Sequence, residues 1–330
     1  MTRRNLMIPG TGGVLFEANG EQVGSVFDLL TQPARRKLLA CAHSPRQNVL
    51  APVATSGKPG VEVKAVGHMS LAYALMDRAV PAWAFWDYDW RLDIRFSGQK
   101  LARFLQANAA SGDRWHLVAH SQGGLVVLWA ALALGAEVFA RVVHSVVFVG
   151  VPFHGTFNAL EAITEGYFIN KSIPVEVART WPSLYQMLPR WSIQGRNLKE
   201  PTALLNSTWS AAGLFPPSSQ PIDLKRHIDP SLLARARAFH QATATDLFTP
   251  LSKLRYIRII LGRGEPTRVG LNAFPKLEPA VREDGDSLVP DPLTYESLPG
   301  WLKDEANIKR FVAGEHSLLC SDPNVYDWCV

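Results

Sequence analysis

The sequence has few cysteines, no long apolar run and no concentration of charge of one sign. The three cysteines in 330 residues, Cys41, Cys320 and Cys329, form an odd count without the spacing of a disulfide framework. Cys320 and Cys329 could pair, but nothing in the pattern favours it, so we expect reduced thiols. No stretch approaches the ~18 apolar residues of a membrane-spanning helix. The sequence therefore indicates neither a disulfide-stapled fold nor a membrane-spanning one.

Charge gives little indication of a macromolecular partner. The 34 basic and 29 acidic residues leave a net charge of +5, spread along the chain without a basic run or a nucleic-acid motif. We therefore expect no nucleic-acid partner, whereas transient contact with a lipid surface stays open. The N-terminus runs straight into a predicted strand and leaves no room for a signal peptide, which predicts a cytoplasmic protein. A leader removed from a longer precursor would instead make it a secreted one.

Apolar patterning favours a large α/β domain. Apolar residues make up 47% of the chain, enough for a three-layer core with residues to spare. Predicted strands alternate with predicted helices, as in a doubly wound sheet. The predicted strands cover residues 5–9, 62–67, 81–86, 114–120, 144–150, 254–261 and 309–314. Ser97 is predicted to cap a helix.

The most informative segment is 115–125, where a short apolar strand ends at a serine and a helix follows at once. This is the pattern of a nucleophile elbow, whose tight turn strains the serine and requires small residues two positions before and after it. Ala119 and Gly123 meet that requirement around Ser121. An ordinary strand, turn and core helix would give the same five residues. The histidine before the serine, His120, is expected to direct its ring to the opposite side of the turn.

Downstream residues supply the partners that a nucleophilic serine needs. In α/β-hydrolases the order is serine, acid, histidine, and here an acidic turn near Asp286 and a histidine, His316, each follow a predicted strand. Residue patterns alone do not choose between Asp284 and Asp286, and either could be a solvated loop residue. Their occurrence in this order favours a catalytic triad.

An oxyanion hole needs two backbone N–H donors. The amide of Gln122, at the start of the helix after the serine, is the predicted first donor. The glycine-rich loop 9–13 after the first strand is predicted to supply the second, from Thr11 as first choice and Gly12 as second. A flexible turn is the alternative interpretation, while a phosphate-binding loop is disfavoured because no Gly-Lys-Ser/Thr follows.

Between residues 157 and 250 the alternation of strands and helices breaks down. Nine prolines interrupt this stretch, and long irregular insertions in compact domains tend to be functional. We interpret it as a cap, with residues 1–156 and 251–330 forming the hydrolase core. Its last helix, after Asp229, has an amphipathic pattern that suits either a lid or an ordinary surface helix. The predicted substrate-binding residues are the aromatic and histidine side chains of this region and the loop before it: Phe153, His154, Trp181, Trp191, Trp209 and Phe239.

Several separated segments resemble the lecithin:cholesterol acyltransferase-like lipases. They are the glycine-rich loop with the residues after it (9–17), Tyr-Asp-Trp-Arg (88–91), Gly-Val-Pro-x-x-Gly-Thr (150–156), Gly-x-Gly-x-Pro-Thr (262–267) and Gly-Asp-x-x-Val-Pro (285–290). The resemblance implies an α/β-hydrolase fold with a mostly parallel sheet, and it selects Asp286 over Asp284 as the acid. The region 157–250 carries no matching motif. Gln122 and the Phe153–His154 pair depart from the family's usual residues.

These patterns predict a serine hydrolase, independent of any cofactor or metal, that cleaves carboxylic esters of hydrophobic acyl groups through an acyl-enzyme. Ser121, Asp286 and His316 are its predicted triad. The resemblance implies a lipase, a phospholipase or an acyltransferase with an alcohol acceptor, and a compact cap would suit a hydrophobic lactone. A non-catalytic protein that binds a hydrophobic ligand is the rival from another class. It is disfavoured because all triad members are present.

Overall fold

The structure is a computed structural model that describes residues 3–18, 21–23, 40–41, 63–68, 72–79, 83–109, 114–166, 173–190, 229–244, 247–271, 280–304, 306–312 and 315–330. Its strands are β1 (Arg3–Ile8), β2 (Val14–Ala18), β3 (Glu21–Val23), β4 (Val63–His68), β5 (Trp83–Phe85), β6 (Arg114–His120), β7 (Val143–Val149), β8 (Tyr256–Arg263), β9 (Glu265–Leu271), β10 (Ala280–Gly285) and β11 (Ile308–Val312).

The helices are α1 (Ala74–Arg78), α2 (Ile94–Ala107), α3 (Gln122–Leu134), α4 (Ala136–Val142), α5 (Phe157–Glu165), α6 (Val175–Ala178), α7 (Pro182–Gln186), α8 (Pro230–Ala244), α9 (Asp291–Ser297) and α10 (Pro323–Cys329). Short 3₁₀ turns cover Thr249–Leu251, Gly300–Leu302 and His316–Ser321. Among the described helices, none has by itself both the length and the apolar composition of a membrane span. Helices α3 and α4 have them when taken together, but the two are bent by 116° at their junction.

A six-stranded sheet forms the centre of the molecule, in the order β11-β8-β7-β6-β1-β5. Each of its neighbouring pairs is parallel. Parallel sheets need helices on both faces, and alternate residues of the strands accordingly belong to two apolar layers. Leu117 and Ala119 of β6 pack in one layer, and Val118 packs in the other. The predicted α/β-hydrolase fold with a mostly parallel sheet is confirmed.

The second layer contains two of the cysteines. Cys320 and Cys329 are fully buried beside Met7 and Val118, and both are free thiols, as is Cys41. Burial raises the pKa of Cys329 and of Cys41 to about 12. The three thiols therefore act as small apolar side chains, as the sequence predicts.

Three local predictions need correction. The predicted strand at 62–67 is β4, but it pairs antiparallel with β2 in a separate three-stranded sheet. Ser97 lies inside α2, whose cap is Asp93, four residues earlier, with its side chain accepting a hydrogen bond from the Arg95 amide. A hairpin of β9 and β10, absent from the predicted strands, follows β8 and carries the chain to Asp286.

The described part of the predicted cap packs closely on the core. Trp181, just before α7, is fully buried with its ring 4.8 Å from that of Trp90. The Gln186 side chain donates to Asp93 at the start of α2 over 2.7 Å. In α8, Phe239 stacks on Trp129 of α3 with ring centroids 5.6 Å apart. Helix α7 is thus held against the start of α2, and α8 against α3.

Candidate active site

Ser121 occupies a strained turn between β6 and α3. Its φ of 52° and ψ of −129° lie in a region that non-glycine residues rarely adopt. A methyl group at Gly123 would overlap the carbonyl oxygen of Ile8 and lie 2.7 Å from that of Pro9. The small residue after the serine therefore lets the end of β1 approach the turn. This is the geometry expected of a nucleophile elbow.

Asp286 and His316 form a buried pair. His316 Nδ1 lies 2.8 Å from Asp286 Oδ2, and the His316 amide donates to the Asp286 carbonyl over 2.8 Å. The other carboxylate oxygen, Oδ1, accepts from the amides of Leu288 and Val289 at 3.0 and 2.6 Å. Since a carboxylate only accepts, Nδ1 carries a hydrogen, and in the neutral ring Nε2 is then the atom with the lone pair. Nε2 has no hydrogen-bond partner within the described chain.

Gly150 brings this pair next to the elbow. A methyl group at Gly150 would lie 3.1 Å from both Asp286 Oδ2 and His316 Cε1. The preceding residue, Val149, accepts the Ser121 amide at 2.9 Å. Ser121 at the end of β6, His316 after β11 and Asp286 after the β9–β10 hairpin therefore lie at one edge of the central sheet, the edge at which α/β sheets bind ligands.

The other acidic residue of the turn, Asp284, faces a different group. Its carboxylate accepts from Arg263 Nε at 2.8 Å and from the Gly264 amide at 2.7 Å. These hydrogen bonds, the Gly264 amide first, lower the pKa of Asp284. Asp284 is therefore part of a solvent-exposed ion pair, and Asp286 is the acid that contacts His316.

The glycine-rich loop lies against the nucleophile. A methyl group at Gly10 would lie 2.6 Å from Ser121 Cβ and 3.3 Å from its Oγ. The Thr11 hydroxyl donates to the side-chain oxygen of Gln122, so the side chains of the two predicted oxyanion residues are joined. The Gln122 amide, at the first position of α3, has no acceptor within its helix. Gly12 has a φ of 75° and provides the turn of this loop.

The Tyr-Asp-Trp-Arg segment supports that loop from behind. Tyr88 donates its hydroxyl hydrogen to the Pro9 carbonyl over 2.9 Å, and Trp90 Nε1 donates to the Val14 carbonyl over 3.2 Å. The Gln122 side chain donates in turn to the Trp90 carbonyl over 2.8 Å. Arg91 pairs with Asp89 at 2.7 Å. The segment therefore braces the candidate oxyanion loop through hydrogen bonds to backbone carbonyls.

Phe153 and His154 follow β7 at the same edge of the sheet. Phe153 is buried between Phe148 and Phe248, with ring centroids 5.5 and 5.0 Å away. The His154 carbonyl accepts the Arg190 amide at 2.8 Å, and its Nε2 is shielded from solvent without a hydrogen-bond partner. Burial first, then the positive charge of Arg190, lowers the pKa of His154 to about 3. His154 is therefore neutral near pH 7.

The remaining predicted binding residues divide into two groups. Trp181 and Phe239 are buried in contacts with other aromatic rings, and so they stabilise the position of α7 and α8. Trp191 and Trp209 lie outside the described residues. Phe153 and His154 follow β7, the strand whose last residue, Val149, accepts the Ser121 amide.

Two buried residues near the triad were not identified as site residues from the sequence. The ring of His120 packs against that of His316, with centroids 4.8 Å apart, and the hydroxyl of Tyr73 lies 3.1 Å from His120 Nδ1. For His120, its position directly before Ser121 could have indicated a role at the site. Nothing in the sequence indicates such a role for Tyr73, because only the fold brings the start of α1 behind the elbow.

Residues 78–212 match the family model described as lecithin:cholesterol acyltransferase, the family whose motifs the sequence resembles. The match spans the Tyr-Asp-Trp-Arg segment, the elbow and the loop after β7. A search of curated proteins gave no match. The predicted resemblance is confirmed over this part of the chain.

Three solved structures are similar to this chain to different degrees. A chain of the Tle4–Tli4 complex superposes with a TM-score of 0.51 at 17% identity, covering 100% of this chain and 97% of that one. Mature lipase BlEst2 of Bacillus licheniformis gives a TM-score of 0.43 at 14% identity, covering 74% and 76%. Phospholipase PlaB of Legionella pneumophila, in complex with thio-NAD, gives 0.36 at 9% identity, covering 80% and 38%. At 17% identity, the likeness to the chain of the Tle4–Tli4 complex shows the fold alone.

Proposed function

We propose that the protein is a serine hydrolase that cleaves carboxylic esters of hydrophobic acyl groups through an acyl-enzyme. The observation that carries the proposal is the buried His316–Asp286 pair, 2.8 Å apart, whose Nε2 has no hydrogen-bond partner within the described chain, at the same edge of the sheet as a serine in a strained elbow. In this arrangement Asp286 fixes the tautomer that leaves Nε2 able to accept a proton.

The proposed reaction has two halves. Ser121 Oγ attacks the ester carbonyl while His316 Nε2 takes its proton, and the imidazolium, stabilised by Asp286, then protonates the leaving alkoxide. Water, deprotonated by His316, then attacks the acyl-enzyme; the bond to Ser121 Oγ breaks, the imidazolium returns its proton to Oγ, and the acid is released. In both halves the amides of Gln122 and Thr11 donate to the oxygen that becomes negative, a contribution of about 10²–10³ in kcat per donor in other enzymes.

The acyl specificity is proposed from the family match and from the cap. The matched family acts on lipid esters, and the match covers residues 78–212. We assign residues 157–250 to a cap that holds the acyl chain near the elbow. This assignment is supported by the hydrogen bond that joins the start of the proposed cap to the loop of the acid: the Thr156 hydroxyl donates to the Leu288 carbonyl, two residues after Asp286, over 2.7 Å.

An alcohol acceptor is the second candidate, because the matched family is named for acyl transfer. Replacing water by an alcohol in the second half gives a new ester with the same residues. A hydrophobic lactone would form the acyl-enzyme in the same way, but its alcohol would stay attached to the acyl group because the ester is part of a ring. The proposed substrate is thus a small hydrophobic ester or a lipid, reached in solution or by transient contact with a lipid surface.

The test combines active-site labelling with a substrate series. A fluorophosphonate probe should label the wild-type protein and not Ser121→Ala, and p-nitrophenyl esters of increasing chain length should be hydrolysed by the wild type alone. Repeating the series with an added alcohol and quantifying ester product measures transfer against hydrolysis. Labelling that survives Ser121→Ala, or no turnover of any ester by unlabelled wild-type protein that the probe is shown to label in parallel, would refute the proposal.

A further inference from the structure

Behind the nucleophile, three hydrogen bonds connect the oxyanion loop to the catalytic histidine. The Gly10 amide donates to Tyr73 Oη over 2.9 Å, Tyr73 Oη lies 3.1 Å from His120 Nδ1, and His120 Nε2 lies 3.0 Å from the His316 carbonyl oxygen. Tyr73 and His120 are 1% and 4% exposed. No solvent therefore competes for these bonds.

The chemistry of the partners fixes where the hydrogens lie. The His316 carbonyl only accepts, so His120 Nε2 must carry a hydrogen. Burial, followed by the nearby His316, lowers the pKa of His120 to about 3, so the ring is neutral near pH 7 and Nδ1 is an acceptor. Tyr73 then donates to Nδ1 and accepts from Gly10. Each member of the chain has one consistent role.

These bonds hold both ends of the His316 backbone. Its amide donates to the Asp286 carbonyl over 2.8 Å, and its carbonyl accepts from His120. The same chain fixes the Gly10 amide, which immediately precedes the candidate oxyanion donor Thr11. In addition, the His120 ring supports the His316 ring at a centroid distance of 4.8 Å.

We propose that His120 and Tyr73 are positioning residues that couple the oxyanion loop to the catalytic histidine, so that the general base and the oxyanion donors keep one mutual geometry. The inference rests on the proposed function of Ser121, Asp286 and His316. A displacement of about 1 Å in such a site costs up to about 100-fold in rate. The pair acts on kcat, because the groups it orients meet the substrate only in the transition state.

The same strand provides a matched control. His116, four residues before His120 on β6, is 2% exposed, and its ring bridges the Ser145 hydroxyl and the Cys329 carbonyl, each at 2.6 Å. Both histidines thus bridge a hydroxyl and a backbone carbonyl inside the core. Only His120 does so next to the triad. Replacing either histidine should therefore lower stability, whereas only the replacement of His120 should lower kcat.

The experiment compares His120→Leu, His120→Gln, Tyr73→Phe and His116→Leu by Tm, kcat and KM on a p-nitrophenyl ester. We expect His120→Leu to lower kcat by about 30- to 100-fold with KM within about threefold. His120→Gln, which keeps an N–H donor for the His316 carbonyl, should recover most of that loss. Tyr73→Phe should lower kcat by about tenfold, and the double variant with His120→Leu should be no worse than His120→Leu alone.

Proton NMR gives a readout that is independent of turnover. The low-field resonance of the His316 Nδ1 proton should shift or broaden in His120→Leu and stay unchanged in His116→Leu. Equal kcat losses in the two leucine variants, or an unchanged resonance in His120→Leu, would overturn the inference. A wild-type protein without esterase activity would refute the proposed function instead, and the resonance would then decide the positioning role.

Discussion

Asp286→Asn offers a sharp test of the proposed triad, because the surroundings of the carboxylate fix how asparagine would sit. Oδ1 accepts two amides, from Leu288 and Val289 at 3.0 and 2.6 Å. Only the carbonyl oxygen of asparagine can take that place, so its NH₂ group must take the place of Oδ2. This group would then point a donor at His316 Nδ1, which lies 2.8 Å from Oδ2 in the wild type.

The substitution therefore favours the opposite tautomer of His316, with the hydrogen on Nε2. A protonated Nε2 cannot take the proton of Ser121. In a serine protease the equivalent change lowers kcat by about 10⁴, which corresponds to about 5.5 kcal/mol at 1.36 kcal/mol per factor of ten. We expect a loss of this order in kcat for p-nitrophenyl ester hydrolysis, with KM nearly unchanged, from a protein whose circular dichroism matches the wild type.

Asp284→Asn is the matched control. It removes the same charge two residues away, where Asp284 pairs with Arg263 at 2.8 Å. Exposed pairs of this kind contribute about 0–1 kcal/mol, so we expect kcat to change by less than about threefold. Comparable losses in the two variants, or a larger one in Asp284→Asn, would show that the acid has been wrongly assigned.

The remaining predictions concern packing, pH and the cap. Gly123→Ala should lower kcat by at least about tenfold, because its methyl group would displace the Ile8 carbonyl and with it the oxyanion loop; wild-type kcat would contradict this. Buried neutral His120, with a pKa of about 3 in the fold against about 6.5 unfolded, takes up a proton more readily when unfolded. The free energy of unfolding should consequently fall as pH decreases from about 6.5 towards 3. Urea titrations measure this loss between pH 7.5 and pH 5, and it should be about 2 kcal/mol smaller in His120→Gln than in the wild type. Phe239→Ala should move the acyl-chain optimum of the ester series, because Phe239 holds α8 of the proposed cap against Trp129; an unchanged optimum would argue against α8 as part of the acyl site.

Local features of the sequence were sufficient for the elbow and for most strands of the sheet. Ser121 was identifiable because a tight strand-to-helix turn leaves room only for small residues, and Gly123 proves to lie against the Ile8 and Pro9 carbonyls. Strands such as β6, predicted at 114–120 and found there, were identifiable because a continuous apolar run, here Leu117–Ala119, is typical of a parallel strand covered on both faces. These constraints act within a few residues, so the sequence displays them directly.

The partners of these elements depended on the tertiary structure. The strand near residue 63 was evident, but its pairing with β2 instead of the central sheet depends on distant chain segments. Residue patterns did not choose between Asp284 and Asp286, and the resemblance selected Asp286; the folded β9–β10 hairpin directs Asp284 to Arg263 and Asp286 to His316. Tyr73 reaches the elbow from α1, 47 residues from His120. A residue pattern determines which chemistry a segment can perform, whereas the folded backbone determines which groups come within hydrogen-bonding distance.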